Sequence, residues 1–231
     1  HAVPGVDDGA SSLNEALDIL NMEYRDGVRT IILTPHFRRM MFETSRETVR
    51  ERFELLKAEA KKVFPSLALY LGCEFHTNMD MTDIIQQDES YRMAGSRFIL
   101  LEFSGGNPAE YIRDRVYQAV AAGYEPIIAH VERYSVLWKD MDTVEYMINI
   151  GARLQVNAES LLGRSGRHEK KFSHKLVDND ILSFIGSDAH DTSERPPLMG
   201  ECAKYVAKKW GRGYAEELFV RNPSEILSDI R

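Results

Sequence analysis

Histidines and carboxylates recur along this chain in a pattern that suits metal chemistry. His36, Glu74, Glu102, His130 and the pair Asp188 and His190 each stand just past a short apolar run, and His1 and Asp8 hold the equivalent place ahead of the first amphipathic stretch. Imidazole and carboxylate without thiolate suit Mn²⁺, Fe or Zn²⁺ in sites that keep positions open for water and substrate. Taken alone, a histidine or glutamate after a strand is most often a solvated loop residue or a helix cap. Repetition changes that balance, because parallel α/β barrels build their active sites at the C-terminal ends of successive strands. Asp8, Glu74, Glu102 and Asp188 gathered without cations would repel one another strongly, so two or three bound ions are the economical expectation.

Basic residues interleave with these groups. Arg38 and Arg39 follow His36, Arg133 follows His130, and Arg195 follows His190. A planar guanidinium matches phosphate oxygens two at a time, so arginine beside a metal cluster points to an anionic, phosphoryl-bearing substrate. Arg133 and Arg195 are the better candidates, since Arg38 and Arg39 read equally well as surface ion pairs. Other chemistries fall away. There is no Walker or Rossmann glycine loop and no Gly-x-Ser-x-Gly elbow. A cysteine phosphatase needs an arginine six residues after its nucleophile, where Cys73 is followed by Met79 and Cys202 by Lys208. Cys73 reads as a small buried residue. His76 is left out of the metal set, as are His168 and His174, which lie in a polar, lysine-rich stretch that reads as a solvated helix.

The elements that must position these groups alternate as repeated βα units of a parallel sheet. Strands are predicted over 30–34, 67–71, 97–101, 126–129, 153–156 and 182–185. The first helix is marked by a capping box at Ser12 and Glu15, an apolar face of Leu13, Ala16, Leu17, Leu20 and Tyr24, and a stop at Gly27. A second capping box, Thr44 with Glu47, opens the next helix, which runs to Pro65. Asn107 caps a third with Pro108 at its first position and Gly123 at its end. Asp142 and Glu145 open a helix that ends at Gly151. Helices near 200–209 and 214–220 follow, and Asn222-Pro223 breaks the chain before a last short one.

At 231 residues, with 43% apolar and 28% charged residues, the chain is ordinary for a globular protein and is expected to form one domain over 1–231. A net charge of −7 argues against a nucleic-acid-coating surface, and no apolar run approaches a membrane span. Two cysteines fit a reducing, cytoplasmic setting. His1 in place of Met reads as a trimmed start.

Motifs in order along the chain carry a resemblance: Pro4-Gly5-Val6-Asp7-Asp8-Gly9-Ala10, Thr34-Pro35-His36, Gly72-Cys73-Glu74, Leu101-Glu102-Phe103, Ala129-His130-Val131-Glu132-Arg133-Tyr134, Ser160-Leu161-Leu162-Gly163, Ser187-Asp188-Ala189-His190, Arg195-Pro196 and Asn222-Pro223-Ser224-Glu225-Ile226-Leu227. Together they resemble the bacterial protein-tyrosine phosphatases of the polymerase-and-histidinol-phosphatase (PHP) type, the CpsB/YwqE-like enzymes encoded with capsule and exopolysaccharide genes. The resemblance implies a distorted (β/α)7 TIM-like barrel, with its first strand missing from this chain, and a centre of three divalent metal ions, usually Mn²⁺. By it, His1 is similar to the second histidine of an opening His-x-His motif whose first member would lie upstream. One ion would then sit on His1, Glu74 and Asp188 with that upstream histidine, a second on Glu74, Glu102 and His130, and a third on Asp8, His36 and His190. Arg133 and Arg195 resemble the family's phosphate-binding arginines. Phe37, where the family often has a second histidine, and His76, where a basic residue is common, depart from the pattern without removing a ligand.

The implied reaction is hydrolysis of a phosphomonoester by a metal-bound hydroxide, with ions and arginines neutralising the phosphoryl oxygens. A tyrosine leaving group, with a pKa of about 10, needs less acid assistance than a serine alkoxide. The resemblance implies as substrate the tyrosine-phosphorylated tail of a membrane-associated bacterial tyrosine kinase, reached without membrane insertion. The competing readings are a PHP phosphatase for a small metabolite such as histidinol phosphate, and a non-catalytic, metal-binding regulator of the kinase.

Overall fold

The computed structural model describes residues 1–230. After an opening loop the chain runs α1 (Leu13–Arg25), β1 (Thr30–Leu33), β2 (His36–Phe37), α2 (Arg46–Val63), β3 (Ala68–Leu71), β4 (Glu74–His76), α3 (Met81–Gln87) and β5 (Phe98–Glu102). It continues through α4 (Ala109–Ala121), β6 (Glu125–Ile128), α5 (Met141–Asn149), β7 (Arg153–Asn157), α6 (Ala158–Leu162), α7 (Arg167–Asp178), β8 (Phe184–Gly186), α8 (Met199–Lys209), α9 (Arg212–Glu216) and α10 (Asn222–Ser228).

All strand pairs are parallel. β2, β4, β5, β6, β7 and β8 lie side by side in that order, and β1 pairs with β3. The two groups form one curled sheet. Thr34-Pro35 only interrupts the line from β1 to β2, and Gly72-Cys73 the line from β3 to β4, while Gly72 N–H to Leu33 O (2.8 Å) and Glu74 N–H to Pro35 O (3.2 Å) carry the pairing across both breaks. Proline at one break removes a ladder donor, which is why the sequence shows one strand there and the backbone two. The result is a half-barrel of six parallel lines. Among the described residues β1 and β8 share no ladder, and between them lies a cavity of about 600 Å³ whose lining includes Ile31, Ile32, Phe184, Ile185, His1 and Asp188.

Alternation along each strand sorts side chains into two layers. On β5, Ile99 and Leu101 face outward to the helices and join Ile112 and Val116 of α4 in the main core. Phe98 and Leu100 face inward, with Ile127 and Phe184, and Ile226 of α10 packs against this inner layer. α10 covers the end of the half-barrel where strands begin: Asn222 Nδ2 donates to Ser183 O (2.8 Å) and Arg97 N–H to Asp229 (2.8 Å). The opposite end stays free for the site.

Local signals place the helices well but shift their caps. Ser12 caps α1 through Glu15 N–H (3.3 Å), although Glu15 reaches back to Ser11 N–H rather than Ser12. Ser45, not Thr44, caps α2, because Thr44 Oγ1 is drawn off to Val6 O in the opening loop. Asp140 replaces Asp142 at the start of α5, accepting from Thr143 N–H (3.0 Å). Asn107 accepts from Ser104 N–H, so the α4 cap position falls on Pro108 itself. Asn222-Pro223 does not break the chain. Residues 217–221 form a π-helical turn that leads into α10, and proline sits in its first turn, where its missing N–H costs nothing. α7 is not simply solvated: Phe172, Ser173, Leu176 and Val177 are buried, and His174 packs edge-on to Trp210.

Candidate metal centre

The candidate ligands come from strand ends that the ladder sets level. His36 at the start of β2 is in register with Glu74 at the start of β4, and His76 with Glu102 at the end of β5. His130 and Asp188 follow β6 and β8 in left-handed backbone, at φ 32° and 51°. That conformation is costly for residues other than glycine, and here it turns both side chains inward. The opening loop folds back on itself through Gly5 N–H to Ala10 O (2.7 Å) and Ala10 N–H to His1 O (2.9 Å). Gly9 is needed there, since a Cβ would fall 1.9 Å from His1 O.

All eight predicted metal residues converge. Three groups have ligand atoms within 4.8 Å of one another: His1, Asp8, His36 and His190; His1, Glu74 and Asp188; and His36, Glu74 and Glu102. His130 adjoins the last, its Nε2 2.7 Å from Glu74 Oε1 and 3.9 Å from Glu102 Oε1. Glu74 is the hub. Its second oxygen lies 3.0 Å from His1 Nε2, which is also 3.4 Å from Asp188 Oδ1. Asp8 Oδ1 stands 3.6 Å from both His36 Nε2 and His190 Nε2.

Three of the four imidazoles are held by one nitrogen and aim the other at the cluster, the arrangement typical of ligating histidine. His1 Nδ1 meets Asp7 Oδ2 (2.8 Å), His190 Nδ1 meets Asp188 O (2.8 Å), and His130 Nδ1 meets the Tyr134 hydroxyl (3.3 Å). His190 Nε2 is buried with no hydrogen-bond partner. Such an orphan is costly unless something accepts its lone pair, and a cation does.

Electrostatics agree. Burial pushes Glu102 up to about 7, with the charge of Glu74 adding to it. Burial and then the charge of His1 take His190 down to about 3. Against the same desolvation, hydrogen bonds donated to Asp188, Asp7 and Glu74 hold His1 well above its ordinary value, and His1 in turn holds Asp188 well below the usual carboxylate range. The carboxylates thus demand positive charge at their centre. Protons on imidazole answer that demand, and divalent cations on the same lone pairs would answer it better.

Arg133 and Arg195 reach the centre together: Nη2 of each donates to Asp188 Oδ2, at 3.0 and 2.9 Å, and Arg133 also meets Glu159 (3.2 Å). Arg39 is a surface pair with Asp80 (3.2 Å). Cys73 is fully buried and its thiol is pushed up to about 12 by desolvation, which suits no nucleophile. His76, kept out of the metal set, bonds Ser104 Oγ (3.0 Å) instead.

Three supporting residues were not singled out by sequence reasoning. Asp7 orients His1 and accepts from the backbone N–H groups of Gly9 and His36. Asn157 Nδ2 donates to Asp188 Oδ2 (2.8 Å). Tyr134 accepts from Phe103 N–H (3.0 Å) while touching His130. Asn157 ends β7, so the strand-end rule would have found it had amides been admitted beside carboxylates. Asp7 is hidden by its neighbour Asp8, and only the loop closure distinguishes them.

Comparison with known proteins places this geometry. The model of the family described as capsular polysaccharide synthesis, CpsB/CapC, matches residues 1–228. The tyrosine-protein phosphatase CpsB of Streptococcus pneumoniae is 34% identical over 99% of this chain and 96% of its own length. The putative tyrosine-protein phosphatase CapC of Staphylococcus aureus is 33% identical over 100% and 90%. A chain from the crystal structures of YwqE from Bacillus subtilis and CpsB from Streptococcus pneumoniae, unique metal-dependent tyrosine phosphatases, superposes with a TM-score of 0.91 at 26% identity, covering 100% of this chain and 93% of that one. The Escherichia coli phosphotriesterase homology protein, solved with phosphate in its active site, shares the fold at a TM-score of 0.63 and 12% identity. Similarity that runs nearly end to end in sequence and in backbone leaves one assignment: the chain belongs to the CpsB/CapC family of capsular polysaccharide synthesis proteins.

Proposed function

We propose that this chain is a metal-dependent protein-tyrosine phosphatase that acts in the cytoplasm on an autophosphorylated bacterial tyrosine kinase controlling capsular or exopolysaccharide synthesis. Residues 1–231 form a single PHP-type domain in this reading. A distorted (β/α)7 barrel is the architecture of such a domain, and the curled sheet of six parallel lines supports it. The observation that carries the reading is the packing of four imidazoles and four carboxylates beside two guanidiniums at the strand ends.

His1, Glu74 and Asp188 would hold one divalent cation, Glu74, Glu102 and His130 a second, and Asp8, His36 and His190 a third, with Mn²⁺ ahead of Fe or Zn²⁺. When bound, such ions polarise phosphoryl oxygens and acidify the attacking water. The chain's own groups do the rest. Asp7 and Tyr134 fix ring orientations. Arg133 and Arg195 are each about one-third exposed and spend one nitrogen on Asp188, so their remaining N–H groups are free to clamp phosphate oxygens from the solvent side. Asn157 and Asp188 keep the two guanidiniums converging on one point, which orients the ester before reaction.

The test is metal content measured by mass spectrometry alongside turnover of a phosphotyrosine peptide, a phosphoserine peptide and histidinol phosphate. Phosphotyrosine turnover that chelation abolishes and Mn²⁺ restores is the expected result. Preference for histidinol phosphate would make the chain a metabolite phosphatase, and undiminished turnover by metal-free protein would overturn the reading.

A further inference from the structure

Glu132 stands between two residues of the site, His130 and Arg133, in the single turn Val131–Arg133 that follows β6, yet it joins neither the metal cluster nor the arginine contacts. Its side chain is fully buried. A carboxyl group taken out of water is costly unless its oxygens find partners, and only one of them does so here. Oε1 accepts from Asn157 N–H (3.0 Å), while Oε2 has no hydrogen-bond partner among the described residues. Burial on those terms does not favour the fold, so the value of Glu132 lies in what it holds.

It holds the end of β7. β6 pairs with β7 only at Ile127 with Arg153 and at Ile128 with Leu154, and the chain then turns away through the left-handed backbone of His130. β7 runs on to Asn157, where strand pairing with β6 has run out, and the Glu132 side chain supplies an acceptor in its place. That one bond joins two segments which share the clamp. On one side are His130 and Arg133. On the other are Asn157, whose Nδ2 donates to Asp188 Oδ2 (2.8 Å), and Glu159, which accepts from Arg133 Nη2 (3.2 Å). Both segments are braced from behind: Glu132 O accepts from Trp138 Nε1 (2.8 Å), and Gln155 Nε2 donates to Asn157 Oδ1 (3.2 Å).

We propose that Glu132 is a positioning residue of the phosphate clamp: its carboxylate sets the spacing between the turn that carries Arg133 and the strand end that carries Asn157, and so fixes where the Arg133 and Arg195 guanidiniums converge. The proposal rests on the phosphatase reading and adds to it a residue that touches no substrate. Asp188 receives Asn157, Arg133 and Arg195 on the same oxygen, so a shift of the β7 end moves both guanidiniums at once. Misplacement of a reacting group by about 1 Å costs up to about a hundredfold in rate, which is why a bond remote from the phosphate matters to its turnover.

The experiment replaces Glu132 by leucine, aspartate or glutamine in Mn²⁺-loaded protein and reads turnover of a phosphotyrosine peptide, affinity for inorganic phosphate by calorimetry, and bound Mn²⁺. Leucine fills a similar volume without an acceptor, aspartate keeps the charge but falls one methylene short of Asn157 N–H, and glutamine keeps an acceptor at the same reach. The expected losses in kcat/KM are about thirtyfold for Glu132→Leu and about tenfold for Glu132→Asp, with phosphate bound about tenfold more weakly by both, while Glu132→Gln stays within about threefold of the unaltered protein and bound Mn²⁺ within about twofold throughout. Unimpaired kinetics and phosphate binding in the leucine and aspartate variants overturn the proposal, because Glu132 would then serve packing alone. So does a glutamine variant as damaged as leucine, or a loss of Mn²⁺ in step with activity, which would place Glu132 beneath the metal ligands instead. Should Glu132→Leu not fold, the contrast between aspartate and glutamine decides. If the unaltered protein does not turn over phosphotyrosine, it is the phosphatase reading that fails, and the phosphate affinities still decide whether Glu132 positions the clamp.

Discussion

The two sides of the centre are built on opposite plans. On the side of β6, β7 and β8, polar side chains are paired and sheltered: Asp188 alone accepts from Arg133, Arg195 and Asn157 and lies against His1. On the side of β2 and β4, beyond His36 and Glu74, the rim carries Arg38, which has no ion pair among the described residues, and the exposed methionines Met40, Met41 and Met79. A group that meets an invariant part of a substrate benefits from being fixed in advance, because no reorganisation is then required at the moment of reaction. A surface that meets a variable part benefits from soft, adaptable side chains.

Breaking the paired side should have the largest effect. Arg133→Ala and Arg195→Ala are each expected to lower kcat/KM on phosphotyrosine peptide by about a hundredfold while metal content stays within about twofold, since each removes a charge-assisted contact and no ligand. Lysine at either position should rescue poorly because it lacks the planar fork. Wild-type kinetics in both alanine variants would dissolve the contrast between the two sides.

Asp7→Asn probes the support beneath the candidate ligand His1. The amide keeps the shape but cannot accept from His1 Nδ1 as a charged carboxylate does, so metal affinity should fall by about tenfold and activity should return at higher Mn²⁺. Titration of metal into stripped protein measures this. Unaltered affinity would mean that His1 needs no orienting partner.

Glu23, remote from the substrate-facing groups, tests the comparison from outside the centre. Glu23 of α1 is buried, its Oε2 has no hydrogen-bond partner among the described residues, and burial raises its pKa to about 7. A carboxyl whose folded value lies above its unfolded one is protonated in the fold at low pH, so its burden on stability is absent below about pH 4.5, grows through neutrality and is complete above about pH 7. Glu23→Gln should therefore leave thermal stability near pH 4.5 almost unchanged and raise it at pH 8, by up to about 3 kcal/mol at 1.4 kcal/mol per pH unit. A gain that is the same at both pH values would show that packing, not ionisation, sets the cost.

The alternation of strand and helix, the parallel sheet and the identity of the chemistry-bearing side chains were legible along the chain. Those follow from short-range rules: apolar period, strand-end position, and glycine or proline at the ends of helices. His36, Glu74, Glu102, His130, Asp188 and His190 stood out because each follows an apolar run by only a few residues. Cap positions were legible only to within a residue or two, since Thr44 and Asn107 could spend their side chains on more than one neighbouring backbone group. Pairing was settled only in the folded molecule. His1 meets Glu74 across 73 residues of chain and its backbone nitrogen meets Ala189 across 188. No periodicity encodes which imidazole nitrogen faces inward, that Asp7 rather than Asp8 braces His1, or that Arg39 pairs with Asp80 while Arg38 has no ion pair among the described residues. Such choices depend on distances between groups that are remote in sequence, and these are set only when the sheet curls and brings its strand ends to one rim.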